Sequence, residues 1–131
     1  MKVSVKVLIL NKDNKILGLR RSKTHPNKPL QWDLPGGLVE EGEDLIWSIK
    51  RETKEETGLD LENVKLLHVM SAKSTGGDYI VTICYTSTIL EDVPLEISWE
   101  HDSYEWFSRE EFLMQDINDR TRVFIGMLEV L

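Results

Sequence analysis

The chain has 131 residues, the length of one domain, and its 40% hydrophobic and 30% charged residues are ordinary for a soluble globular protein. Its net charge of −7 disfavours a nucleic-acid partner held by its backbone phosphates, but not a nucleotide, because a divalent metal reverses the local sign where carboxylates cluster. The longest apolar run, Val7 to Leu10, is far too short for a bilayer, no signal-peptide pattern opens the chain, and the single Cys84 reads as a buried strand residue. A cytoplasmic protein without membrane contact, monomeric or homodimeric, is therefore expected.

Residues 2–10 alternate at first, with Val3, Val5, Val7 and Ile9 on one face, and predict a strand. Turn chemistry at Asn11-Lys12-Asp13-Asn14 leads to a second strand from Lys15 to Leu19, as a hairpin or at least a local strand–turn–strand. Arg20 and Arg21 follow where it ends. Residues 22–31 carry two prolines and no periodicity, which predicts a loop near a pocket. Gly36 and Gly37 let the backbone turn sharply and approach a ligand. Leu38 to Glu41 reads as a short strand broken by Gly42. Asp44 is an N-cap for a helix from about Leu45 to Thr57, and Gly58 fits its C′ position. Residues 64–73 and 78–90 read as strands joined by a turn at 74–77, and 91–98 as a loop around Pro94. Tyr104 to Phe107 is a short strand, and Ser108 with Glu111 forms a capping box that opens a helix through about Gln115. A last amphipathic segment, Arg120 to Leu131, sets Val123, Phe124, Met127, Leu128 and Leu131 on one helical face. These elements predict an α/β or α+β sandwich, helices packed on a mixed sheet, as a single domain over 1–131.

At about 100° per residue the first helix has distinct arcs. Glu52, Glu55 and Glu56 share one; Ile46, Ile49 and Thr53 lie on the next and face the core; Lys50 and Lys54 point to solvent. Trp47 falls on the outer side, under a loop or in a dimer contact. Like charges three and four residues apart destabilise a helix, so the glutamate arc calls for cations. Arg51 supplies part, since it can meet Glu55 and also Glu43 across the helix start. Hard divalent cations suit the rest, and Mg²⁺ bridges carboxylates to phosphates, which fits hydrolysis of a diphosphate by an activated water. The plain alternative is a solvated face, because Glu-rich helices are common.

The joint pattern of Gly37, Glu43, Arg51-Glu52, Glu55-Glu56, Gly58 and Leu59, preceded by Pro35-Gly36, resembles the Nudix box. Thr53 departs from it, standing where the family has an aliphatic residue. The resemblance covers most of the chain. It implies a Nudix-type α/β/α sandwich with the mixed sheet between helices. It also implies Mg²⁺ (or Mn²⁺) held by Glu52, Glu55 and Glu56, with the Gly37 carbonyl as a further ligand. By the same resemblance Glu43 and Arg51 form a salt bridge that orients the catalytic helix, and Glu52 or Glu56 serves as base.

Residues 99–107 are similar to the family's later Glu…Trp stretch, in which Glu100, six residues before Trp106, reaches the metal site. Glu105 is the runner-up, and a charged surface loop the plain alternative. His101 is expected at the surface or anchoring a loop. Arg20 and Arg21 stand where related enzymes hold a phosphate, or are a solvated pair at a strand end. Trp32, Tyr79 and Phe107 stack on a base or simply pack. The chain looks like the compact MutT-like group, which implies a nucleotide substrate and conversion of a (d)NTP to (d)NMP plus pyrophosphate. The proline that ADP-ribose hydrolases carry downstream of the box is missing, Pro94 being much too far. Other diphosphates (nucleotide sugars, dinucleoside polyphosphates) and a non-catalytic nucleotide-binding module remain as alternatives.

Overall fold

Strand β1 (Lys2–Leu10) is the spine of the mixed sheet in the computed structural model, which describes residues 1–74 and 76–128. The elements that follow are β2 (Ile16–Arg21), β3 (Trp32–Asp33), β4 (Gly36–Leu38), α1 (Leu45–Thr57), β5 (Lys65–Lys73), β6 (Tyr79–Thr88), β7 (His101–Phe107), α2 (Arg109–Leu113) and α3 (Asp119–Met127). On one edge β1 runs parallel to β6, from Lys2 opposite Ile80 to Leu10 opposite Thr88. On its other edge β4 pairs antiparallel, Val5 opposite Gly37 and Lys6 opposite Gly36. Strands β5 and β6 form an antiparallel hairpin, and β2 lies between β3 and β7.

Helices cover both faces, as an α/β/α sandwich requires. Val5, Val7 and Ile9 of β1 join Leu17, Leu19, Tyr85 and Ile49 of α1 in one cluster. Leu8 and Leu10 point the other way, into a second cluster with Phe112 of α2 and Phe124 and Ile125 of α3. A strand buried on both faces has no polar side, which is why β1 loses its alternation after Lys6.

The ends of α1 follow from local chemistry. The Asp44 carboxylate accepts the Trp47 N–H, and Gly58 closes the helix at φ 78°, a left-handed geometry that only glycine adopts freely. Ser108 and Glu111 close a reciprocal capping box on α2.

Four expectations are corrected. Strands β1 and β2 share one paired position, Leu10 with Ile16, because β4 occupies the β1 edge that a hairpin partner would need. Ile46 is 36% exposed, while Ile49 and Thr53 are buried as expected; Ser48 and Thr57, small residues that let the helix lie close to the sheet, are buried beside them. On α3 Val123 and Met127 are exposed while Thr121, Phe124 and Ile125 are buried; Leu131 lies outside the described residues. Strand β7 begins three residues before Tyr104, at His101, which is buried rather than a surface residue. Among the described residues no helix is long and apolar enough to cross a membrane.

Candidate active site

The turn between β3 and α1 is built on two glycines. Gly36 has φ 146°, and a Cβ there would lie 2.0 Å from the Val5 carbonyl oxygen, so no other residue fits. Its N–H donates to Glu56 Oε1 at 2.7 Å. At Gly37 a Cβ would stand 2.8 Å from Glu52 Cδ and 2.9 Å from both of its carboxylate oxygens. The missing side chain is what lets the Glu52 carboxylate rest against the backbone.

Glu56 is 6% exposed, and its carboxyl is pushed up to about 8 by burial. The Lys6 charge and the Gly36 N–H oppose this, while Glu52 and Glu100 add to it. Glu52 is half-buried and also raised, by burial, against the pull of Arg51 and with a push from Glu55 and Glu100. Arg51 is the hub of the helix. Its Nε and Nη2 donate to the two oxygens of Glu43 at 2.9 and 3.1 Å, a bidentate pair. Its Nη2 also lies 3.2 Å from Glu52, its Nη1 3.2 Å from the exposed Glu55, and its guanidinium 5.7 Å from the Trp47 ring centre. The Glu43 carboxyl is lowered by the Arg51 bond and the Arg51 guanidinium is raised by it.

The segment before β7 runs along the C-terminal turn of α1. Glu96 N–H bonds to Thr57 O and Ser98 N–H to Glu56 O, which carries half-buried Glu100 into the field of Glu52 and Glu56. Glu100 is tied back by Ser22 N–H to its carbonyl at 2.9 Å, and His25 Nε2 lies 3.9 Å from its carboxylate. Glu105 faces solvent on β7. Arg20 and Arg21, neighbours on a strand, go to opposite sides. Arg20 pairs with Asp102 at 2.8 Å, and Arg21 reaches inward to Asp33 at 2.7 Å and to Asn27 O at 3.0 Å. Trp32 stands edge-on to Phe107, 4.9 Å between centres, at the margin of the core.

One feature the sequence reading missed underlies this site. Lys6, 8% exposed, donates to Asp33 Oδ2 at 3.0 Å and to Leu34 O at 3.1 Å. Asp33 also accepts Arg21, Thr121 Oγ1 and the Leu34 N–H. Burial opposes ionisation of Asp33, but Lys6, Arg21 and Arg120 together hold it well below the usual carboxylate range. The signal available was Lys6 in β1, flanked by Val5 and Val7 and followed by the apolar run to Leu10.

Among the described residues no three His, Cys, Asp or Glu side chains converge as a ready-made metal cage, since Glu55 is drawn to Arg51. The donor chemistry nonetheless fits a hard divalent cation. It is all oxygen, the buried Glu56 and half-buried Glu52 carboxyls are raised by desolvation and mutual repulsion, and Gly37 keeps the space beside Glu52 clear.

The NUDIX domain family matches residues 1–126. The structure is similar to that of a MutT protein from Methanosarcina mazei Go1, 29% identical, with TM-score 0.86 over 95% of this chain and 90% of that one. It is also similar to a MutT NUDIX hydrolase from Burkholderia pseudomallei, 25% identical, TM-score 0.85, covering 98% of each. In sequence it is 48% identical over 64 residues to the ADP-ribose pyrophosphatase of Methanocaldococcus jannaschii, which is 49% of this chain and 37% of that protein. The chain spans between 21% and 41% of the length of such curated relatives.

Proposed function

The chain belongs to the Nudix family, and from that premise we propose that it hydrolyses a nucleotide substrate through its diphosphate, foremost a (d)NTP to (d)NMP plus pyrophosphate. The observation that carries this is Glu56, a buried carboxyl pushed up to about 8, one helical turn from Glu52 and in the field of Glu100. Such a group is poised to exchange a proton near neutrality.

Glu52, Glu55 and Glu56, with the Gly37 carbonyl, would hold Mg²⁺ (or Mn²⁺). When bound, such a cation neutralises phosphate oxygens and makes water more acidic. Glu52, Glu56 or Glu100 takes the proton of the attacking water. The water oxygen bonds to phosphorus, the bridging P–O bond breaks, and its electron pair leaves with the departing phosphate. Glu43 clamps Arg51, and Arg51 in turn fixes where Glu52 and Glu55 stand. Arg20, Arg21 and Trp32 are the proposed substrate contacts.

A second reading, cleavage of ADP-ribose or another nucleotide sugar, is favoured by the likeness to the ADP-ribose pyrophosphatase. A panel of (d)NTPs, ADP-ribose, nucleotide sugars and dinucleoside polyphosphates, assayed with Mg²⁺ for phosphate or pyrophosphate release, decides between them. Glu56→Gln lowers turnover on the preferred member by about 10²–10⁴-fold with unchanged circular dichroism. A wild-type chain that binds a nucleotide yet cleaves nothing on the panel is the non-catalytic module.

A further inference from the structure

Three of the four tryptophans have partners that account for them. Trp32 stands edge-on to Phe107, Trp106 packs against the core cluster that includes Ile49 of α1, and Trp47 lies beside the Arg51 guanidinium. Trp99 is 75% exposed and has neither an aromatic nor a cation–π partner among the described residues. Its backbone is nevertheless held firmly. Trp99 and Glu100 are the two central residues of a β-turn that the His101 N–H closes onto Ser98 O at 3.1 Å. The Ser98 N–H bonds to Glu56 O of α1 at 3.2 Å, and Glu100 O accepts the Ser22 N–H at 2.9 Å from the segment after β2. Buried His101 then opens β7, and Asp102 holds Arg20 at 2.8 Å. An indole fixed in advance on such a turn offers a large contact area and loses little freedom when a ligand meets it.

The chemistry of that ligand follows from the neighbours. Glu100 is the next residue, about 3.8 Å away at Cα, and it lies in the field of Glu52 and Glu56. A bare phosphate is repelled from such surroundings, whereas an uncharged flat ring is not, and an indole face is what a flat ring stacks on. We propose that Trp99 is a specificity-determining residue whose indole stacks on a nucleobase of the substrate while the diphosphate lies against the glutamates. Ring and phosphates then meet adjacent residues of one turn, so the turn itself sets how far the base stands from the phosphorus under attack. The inference rests on the nucleotide-hydrolase reading of the glutamate site, but it is tested by binding, without turnover.

The test uses the full chain with Mg²⁺ and α,β-methylene-ATP, whose P–C–P link resists cleavage, and tripolyphosphate as a chain of phosphates without a base. In titration calorimetry Trp99→Ala should weaken the nucleotide analogue about tenfold or more and leave tripolyphosphate within about twofold. Trp99→Phe, which keeps a flat ring, should recover most of that loss. Stacking also quenches an indole. The fall in tryptophan emission on adding the analogue to the wild type should therefore be largely missing from Trp99→Phe, although that variant still binds. On a substrate that is turned over, Trp99→Ala should raise KM about tenfold and leave kcat within about twofold. An unchanged affinity in Trp99→Ala makes Trp99 a surface residue only and overturns the proposal. So does an equal loss for tripolyphosphate, which would trace the effect to Glu100, or an equal quench in Trp99→Phe. A wild type that holds the analogue no better than tripolyphosphate overturns it as well. A chain that binds the analogue through Trp99 yet cleaves no nucleotide upholds the stacking and removes the hydrolase reading.

Discussion

Replacing Asp33 by Asn tests the buried charge cluster beneath the site. The carboxylate is 3% exposed and accepts Lys6, Arg21, Thr121 and the Leu34 N–H. An amide can still accept from Thr121 and Leu34, but its NH₂ then faces the donors that now meet Oδ2, the ammonium of Lys6 and the guanidinium of Arg21. Both cations are more than four-fifths buried and would lose their counter-ion. Removing one partner of a buried ion pair costs about 3–5 kcal/mol, a large share of a domain's total of about 5–15. Urea unfolding at pH 7 should therefore show a loss of about 3 kcal/mol or more at unchanged m-value. The pH dependence has a definite sign. The folded Asp33 carboxyl lies below its unfolded value, so its contribution is complete above about pH 4 and disappears as pH falls further. The gap between wild type and Asp33→Asn closes on acidification. In the background of Lys6→Met the same substitution should cost at least about 1 kcal/mol less, because the two side chains interact directly. A loss under about 1 kcal/mol at neutral pH, or a gap that has not narrowed at all by about pH 2, refutes the idea that this cluster is a coupled ionic unit.

His101 supplies an acid-side prediction. Burial, with help from Lys6, lowers its imidazole to about 4, and its Nδ1 has no hydrogen-bond partner among the described residues. Below pH 6.5 the unfolded chain takes up a proton that the folded chain refuses, so stability falls between 6.5 and 4, by at most about 3 kcal/mol. His101→Leu should flatten that interval in thermal melts; an unchanged slope there counts against it. Gly37→Ala places a methyl 2.8 Å from Glu52 Cδ and displaces the carboxylate. Mn²⁺ affinity, read by paramagnetic resonance, should drop about 10- to 100-fold, and an unaltered affinity would show that Glu52 does not need this approach. Arg51→Lys removes the fork that Glu43 grips at 2.9 and 3.1 Å. Turnover should fall about tenfold or more through misplacement of Glu52, with Glu43→Gln giving a similar loss; full activity in both variants would unseat Arg51 as the organiser.

What could be read from the chain, and what could not, divides by distance along it. The caps Asp44 and Gly58, the box of Ser108 with Glu111 and the glutamate arc of α1 all rest on neighbours within a turn or two, and local rules reach that far. The Lys6–Asp33 pair spans 27 residues and is a consequence of β1 being central, which the sequence states only indirectly. The helical arc sets Ile46 beside Ile49 and Thr53, but close packing buries Ser48 and Thr57 at the helix–sheet contact and leaves Ile46 at the edge. Spacing put Glu55 with Glu52 and Glu56, and the Arg51 guanidinium then drew it outward. Arg20 and Arg21 could be located at a strand end, but the carboxylates that meet them, Asp102 and Asp33, come from elsewhere in the chain.

The pairing of β1 with β6 also bears on how the protein is made. Lys2 lies opposite Ile80 and Leu10 opposite Thr88, so β1 has no partner on that edge until β6, far along the chain, has been made. Closing a loop that long is entropically slow, and parallel pairing of distant strands is the usual brake on folding rate. Helix α1, with Glu52, Glu55 and Glu56, and Glu43 just before it lie inside that loop. The glutamate site is therefore expected to form late, with the zipping of β1 onto β6. Until then the apolar Val7–Leu10 end of β1 stands exposed, and chains truncated before Thr88 are expected to aggregate more readily than the full chain.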